Sequence, residues 1–359
     1  MKRMSNINTF SGSLIDEIVT LPIDSKEILY DTSYYGQPKG DVLELTLIEA
    51  AYLIYKGKIT VNCENRKLDF EGFMCEASSR TGNFEVKYIV FKDLRERGYF
   101  IKPGVTDFRV YPRGGSPGKT PSKYFVYVLS ERQPMLLTDL VRQVETASNV
   151  KKELIMAVVD EESEITFYGA KLRSMKGDMG SARPGPAIRA SLLEDRVMVW
   201  DSDSSAQLHN EFLYGKPLDE IRLQLSLIEA AYLLGKEVIE IRDSKGRILT
   251  TNDFADLAVI VESDFPKKLA VYKDLREKGM VVKTGYKFGS HYRVYKKVDQ
   301  KKGMLHSEFL VHALDNNYTF SLPQLSRAVR LANSVKKQMI FAWESRGTIS
   351  YLDIGRIKM

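Results

Sequence analysis

The sequence predicts a mixed α+β (α/β) fold built as a tandem duplication, and three observations predict it. Long motifs occur twice, in the same order, at an offset near 180 residues. Stretches with apolar residues at helical spacing alternate with short strand-like runs. Apolar residues make up 43% of the 359-residue chain, so more than one unit can carry its own core.

The duplication is read directly. YGQPKGDVLELTLIEAAYLIYKGK, from Tyr35, returns as YGKPLDEIRLQLSLIEAAYLLGKE, from Tyr214. FKDLRERGYFIKPG, from Phe91, returns as YKDLREKGMVVKTG, from Tyr272. FRVY at Phe108–Tyr111 returns as YRVY at Tyr292–Tyr295, and ASNVKKELIMA from Ala147 as ANSVKKQMIFA from Ala332. Between the copies lies SMKGDMGSARPGPAIRAS (Ser174–Ser191), whose Gly, Pro and Ser content marks a linker. The boundary is expected near residue 185, giving units 1–185 and 186–359.

Each unit opens with a short alternating stretch, SLIDEIVTL or SLLEDRVMVW. A helix is expected next. Leu45, Ile48, Tyr52 and Leu53 fall at helical spacing, and Gly57 ends the run. A charged middle leads to a second amphipathic helix, KYIVFKDLRERG or KLAVYKDLREKG, closed by Gly98 or Gly279. Strands follow. In FGSHYRVYKKV, alternation puts Tyr292, Val294 and Val298 on one face and His291, Arg293, Tyr295 and Lys297 on the other, so Tyr295 is expected on the polar side. The last helix, SLPQLSRAVRLANSVKKQM, shows a stripe of Leu325, Ala328, Val329, Ala332, Val335 and Met339. Arg330 and Lys337 would share one face of it, about 10 Å apart along the axis. A strand pair completes the unit.

Composition limits the setting. No apolar run has the length to cross a membrane. The basic start MKRMSNINTF is not followed by an apolar core, so a secretory leader is not expected. Two cysteines, Cys63 and Cys75, are too few for a disulfide framework or a zinc site; both are expected to be buried thiols in a cytoplasmic protein with no metal or cofactor. A net charge of +6 permits a polyanionic partner.

Differences between the copies separate scaffold from chemistry. Tyr295 has a counterpart in Tyr111 and Lys337 in Lys152, but aligning LHSEFLV with TPSKYFV sets Pro121 opposite His306. Only the second unit holds tyrosine, histidine and lysine together. The plain alternatives are a surface tyrosine, a hydrogen-bonded structural histidine and a solvated lysine at a helix end. The first unit alone has an acidic knot, Asp160, Glu161, Glu162 and Glu164, which is either a solvated turn or a docking element for a basic pocket on another subunit.

RVYKKV, LHSEFLV and RAVRLANSVKKQMIFA, in this order, resemble the catalytic repeat of archaeal tRNA-splicing endonucleases, most closely the two-repeat type that works as a homodimer. The likeness spans most of both units, including YKDLREKG, VVKTGYKFGS and VVDEESEIT. The resemblance implies a nuclease-like subdomain with a mixed sheet at about 265–359, after a small N-terminal α/β subdomain. It implies Tyr295 as base, His306 as acid and Lys337 as stabiliser of the transition state. Arg330 and Arg356 would sandwich a bulged base of a precursor tRNA, and Asp160–Glu164 would dock onto the partner. The first repeat would be structural.

The chemistry fits the residue types. RNA cleavage by its own 2′-oxygen needs a proton acceptor, a proton donor with a pKa near neutrality and a cation by the phosphate. Histidine and lysine suit the last two roles, whereas tyrosine is a weak base unless cations such as Arg293 and Lys297 lower its pKa. Two other readings compete: a non-catalytic RNA-binding or structural subunit, and a metal-dependent DNA nuclease. The second would require an acidic metal-binding cluster, a spacing that the second unit lacks.

Overall fold

The computed structural model describes residues 9–64, 66–180, 186–297 and 306–359. Each repeat opens with a small sheet, of six strands in the first copy and five in the second. The helix packed on it is Leu47–Tyr55 or Leu227–Gly235. Its start is fixed by a capping box, Thr46 with Glu49 or Ser226 with Glu229. Leu45, expected on this helix, instead ends up buried in the strand Val42–Thr46, because the cap at Thr46 sets the helix start at Leu47, two residues later.

The capping glutamates also tie the subdomains together. Glu49 is buried, accepts from the Gly36 amide at 3.0 Å and lies 3.3 Å from Lys102 Nζ. Glu229 accepts from the Gly215 amide at 2.9 Å and lies 3.5 Å from Lys283 Nζ. A buried carboxylate is tolerable only when paired and hydrogen-bonded. The identical arrangement in both copies marks it as scaffold.

The charged middle of each unit is itself a helix, Phe70–Arg80 or Thr251–Val261. Asp69 and Thr250 cap these helices, which bury only Phe73 with Ala77 and Phe254 with Ala258. Cys63 is buried as expected, but Cys75 is exposed on the outer face of Phe70–Arg80. The next helix, Phe84–Glu96 or Phe265–Glu277, falls where its periodicity places it, and Gly98 and Gly279 follow at positive φ.

The C-terminal sheets of the two repeats fuse into one sheet of ten strands. From the second-repeat edge its order is Val281–Thr284, Tyr292–Tyr295, Phe309–Leu314, Gln338–Ser345 and Thr348–Arg356. The order continues through Ile165–Leu172, Glu153–Val159, Tyr124–Ser130, Phe108–Val110 and Ile101–Pro103. At the junction Ile165–Leu172 and Thr348–Arg356 run antiparallel, with Ala170 opposite Ile354. These two are equivalent residues, since Ala170 also pairs with Leu154 and Ile354 with Met339. A second contact sets Met135 opposite Phe320, again equivalent positions. The chain thus contains a self-complementary, two-fold-like interface between its own halves.

Helices Leu137–Asn149 and Leu322–Ser334 cover the fused sheet, and Leu140, Val144, Tyr168, Leu325, Val329 and Phe341 lie in one core common to both repeats. The last helix is shorter than its pattern suggests. It ends at Ser334, Lys336 takes a positive φ of 56°, and Met339 is buried in the following strand. Ala328 and Val335 are only half-buried.

The linker is not a free tether along residues 174–180. The Gly177 amide donates to Lys278 O at 2.8 Å, the Met179 amide to Gly279 O at 2.9 Å, and Met175 is buried in the second-repeat core. A Cβ on Gly177 would lie 2.2 Å from Gly279 O, so this crossing requires glycine. The expected boundary near residue 185 lies outside the described residues, as does Val298.

Candidate active site

Three neighbouring strands of the second repeat end together. Tyr292–Tyr295 pairs with Phe309–Leu314, which in turn pairs in parallel with Gln338–Ser345. Tyr295 closes the first strand, His306 lies three residues before the second, and Lys337 directly precedes the third. Adjacent strands are about 4.8 Å apart, so the backbones of Tyr295 and Lys337 stand about 10 Å apart with the His306 segment between them.

The first repeat repeats this frame bond for bond. The Glu308 amide donates to Val294 O at 3.2 Å, and the Lys123 amide to Val110 O at 2.9 Å. The Gln338 amide donates to Glu308 O at 2.9 Å, and the Glu153 amide to Lys123 O at 3.1 Å. These bonds align Tyr295 with Tyr111, His306 with Pro121 and Lys337 with Lys152.

Two placements differ from the sequence reading. Tyr295 is 5% exposed, not on an open polar face. Both faces of this sheet are covered, with Val294 in the core of the second repeat and its neighbour Leu310 in the shared core, so alternation no longer sorts buried from exposed. Lys337 is neither helical nor solvated. It lies beyond the turn at Lys336, is 9% exposed, and donates from Nζ to Ser307 O at 2.8 Å. That bond ties the lysine to the backbone next to His306, which is itself exposed. Burial lowers the Lys337 pKa from its ordinary value; the Arg293 charge adds to this and Glu308 opposes it. The two cations expected beside Tyr295 are engaged elsewhere. Arg293 donates to Thr284 O at 2.9 Å, and Lys297 lies 3.7 Å from Asp178.

Arg330 is exposed on the helix Leu322–Ser334, and Arg356 ends the last strand. Arg356 lines a cleft of about 650 Å³ at the junction of the repeats, together with Lys152, Lys171, Asn333 and Gln338. Asn333 is about one helical turn beyond Arg330, and Gln338 follows Lys337. The cleft therefore brings Arg356 beside the start of the third strand, whereas Arg330 lies about one turn outside its lining. Arg173, which the sequence reading passed over, braces its floor with bonds of 2.7 Å to Gln338 Oε1 and to the buried Asp353. The signal was present in the sequence only as a basic residue at the mouth of the linker. In the first repeat the position of Arg330 is held by Glu145.

The acidic knot forms the hairpin tip between Glu153–Val159 and Ile165–Leu172 and is wholly exposed. Asp160 Oδ1 accepts from the amides of Glu162 at 3.0 Å and Glu164 at 2.8 Å, and Glu161 pairs with Arg132. Glu153, at the other end of this hairpin, lines the cleft. The tip is therefore about 20 Å from the cleft of its own chain, at 3.3 Å per residue.

Behind the strand ends, the imidazoles of His291 and His312 stack with centroids 4.0 Å apart, and His291 Nδ1 accepts from the Ala313 amide at 3.0 Å. Burial, then His312, Lys268 and Lys267, pull the His291 pKa down to about 3 against the opposing charge of Asp264. The His312 pKa is lowered by burial and the same two lysines. The unfolded chain takes up these protons near pH 6.5 and the folded chain only at lower pH, so stability is full above 6.5 and falls as pH drops. Between pH 6.5 and 5 the loss should reach up to about 1.4 kcal/mol per pH unit for each imidazole. Urea unfolding midpoints measured across this range check it. The His291→Asn, His312→Gln double variant should flatten the slope, and an unchanged slope would assign the loss to other groups.

Fold and site together define a duplicated α+β protein in which one repeat alone sets tyrosine, histidine and lysine at the ends of three neighbouring strands. The family description "tRNA intron endonuclease, catalytic C-terminal domain" matches residues 84–167 and 265–351. The description "tRNA intron endonuclease, N-terminal domain" matches residues 10–74 and 188–255. The chain belongs to the tRNA intron endonuclease family. It is 52% identical to the tRNA-splicing endonuclease of Methanosarcina mazei over 331 residues, covering 92% of this chain and 94% of that protein. The tRNA-splicing endonuclease of Methanococcoides burtonii is 51% identical over 331 residues, with 92% and 94% covered. That of Halobacterium salinarum is 34% identical over 364 residues, with 96% and 99% covered.

Proposed function

We propose that this chain is a tRNA-splicing endonuclease that cuts precursor tRNA at bulge–helix–bulge intron–exon junctions. The 2′-oxygen attacks the adjacent phosphorus as its proton passes to the Tyr295 side chain, which acts as base in its phenolate form. The bond from phosphorus to the 5′-oxygen breaks as His306 protonates that oxygen, leaving a 2′,3′-cyclic phosphate and a 5′-hydroxyl. The Lys337 ammonium stabilises the charge gathering on the non-bridging oxygens. Arg330 and Arg356 hold the bulged base, as planar guanidinium groups stack well on an unpaired ring. The observation that carries the reading is the convergence of Tyr295, His306 and Lys337 at three strand ends in one repeat, with Pro121 at the matching place in the other.

The reading makes residues 1–185 the structural repeat and 186–359 the catalytic one, in a cytoplasmic enzyme. One chain supplies one such site and an intron has two ends, so the active species is a two-fold homodimer. The acidic tip Asp160–Glu164 points away from its own cleft and docks on the partner's catalytic repeat.

Cleavage of a bulged RNA in EDTA, with ribose or 2′-deoxyribose at the scissile position, tests the chemistry. Full activity in EDTA and none on the deoxy substrate are expected. A requirement for metal, or cutting of the deoxy substrate, would remove the 2′-hydroxyl mechanism. Binding without cleavage would make the chain a non-catalytic subunit.

A further inference from the structure

We infer that Tyr286 is a stacking platform for an unpaired base of the RNA beside the scissile phosphate, and that Lys287 faces the backbone phosphate next to that base. This rests on the function proposed above, and it assigns a contact to a loop distinct from the arginine pair.

The two repeats supply the first argument. In the first, Pro103 pairs with Phe108 across a short turn. In the second, the equivalent residues Thr284 and Tyr292 pair across a loop three residues longer. The strands around it match in both copies, so the frame does not need the longer loop. It occurs only in the repeat that has His306.

The second argument is how the loop is built. Phe288 N donates to Gly285 O at 2.7 Å and Gly289 N to Tyr286 O at 3.0 Å, with Gly289 at a φ of 58°. The Phe288 ring packs against the shared core and is flanked by two cations, Lys337 Nζ 5.7 Å and the Arg293 guanidinium 5.9 Å from its centroid. A Cβ on Gly289 would lie 3.7 Å from the Leu331 side chain, next to Arg330. Phe288 and Gly289 thus fix the loop between Lys337 and the Arg330 helix.

The third argument is what the fixed loop presents. Tyr286, two residues before Phe288, is 88% exposed, the highest value among the described exposed large hydrophobic side chains, and Lys287 beside it is exposed too. Tyr286 edges a cavity of about 240 Å³ shared with Lys283, His291 and Tyr292, but most of its ring is held out in solvent. Such a ring on a basic loop matches single-stranded RNA, which is bound by aromatic faces under bases and cations along the backbone.

The test uses the full-length protein and a bulged RNA with 2′-deoxyribose at the scissile position and 2-aminopurine at each unpaired position in turn. Stacking should quench the probe at one position on binding to wild type. Tyr286→Ala should remove that quench and weaken binding about 10- to 100-fold, whereas Tyr286→Phe should keep both. On the all-ribose RNA, Tyr286→Ala should raise KM with little change in kcat at saturation. Wild-type cleavage of that RNA reports separately on the proposed function. If wild type cleaves but Tyr286→Ala quenches and binds as well as wild type, the inference is overturned and the function stands. If Tyr286→Ala instead converts the dimer to monomer in sedimentation, the ring packs between chains and the inference is likewise overturned.

Discussion

Replacing His306 with alanine should lower cleavage of a bulged precursor about 10²–10⁴-fold while leaving RNA affinity within about two-fold of wild type. The side chain is exposed, so its removal opens no cavity, and the adjacent backbone stays anchored because Lys337 Nζ still donates to Ser307 O. Single-turnover rates and anisotropy binding measure the two quantities. A substrate with sulfur in place of the 5′-bridging oxygen sharpens the test. Its thiolate leaves without being protonated, so it should restore most of the lost rate to His306→Ala and give little help to Lys337→Ala. Combining the two variants should cost less than the sum of the single losses, because removing Lys337 also releases the segment that positions His306. Poor RNA binding by His306→Ala, or no rescue by sulfur, would take the general-acid role away from this residue.

The site was legible where it depended on residue identity and illegible where it depended on three-dimensional placement. The contrast of His306 with Pro121 needed only alignment of the copies, and the matched bonds at Glu308 and Lys123 give that alignment a structural basis. Lys337 was misplaced because its helix ends in a turn made by Lys336 at positive φ, where glycine or asparagine would have signalled the stop. Tyr295 was misplaced because alternation predicts exposure only when one face of a sheet is open. The helices Phe70–Arg80 and Thr251–Val261 were hidden because each buries only a phenylalanine and an alanine, too weak a stripe to rise above the charged residues. The fusion of the two sheets was invisible for another reason. Antiparallel pairing around Ala170 and Ile354 is made by backbone groups, which leave no side-chain pattern.

Reversing the charge of the acidic tip should separate the chains and stop cleavage together. The geometry decides which residues to change. Asp160 shapes the turn through the Glu162 and Glu164 amides, so Asp160→Lys would unmake the hairpin tip and confuse folding with docking. Glu161, Glu162 and Glu164 are exposed and can become lysine with the turn intact. The Glu161 pair with Arg132 is more than half exposed on both sides, so its loss has little effect on the fold. The triple variant Glu161→Lys, Glu162→Lys, Glu164→Lys should therefore melt like wild type and raise the dimer dissociation constant about 100-fold or more, since breaking charge pairs across an interface costs several kcal/mol. Sedimentation gives the dissociation constant, and cleavage at a fixed protein concentration should fall with the dimer fraction. Asp160→Asn, which keeps an acceptor oxygen for the turn, should stay closer to wild type in both measurements. A dimeric, fully active triple variant would reduce the tip to a solvated turn, and the surface that pairs two chains would then have to be sought elsewhere.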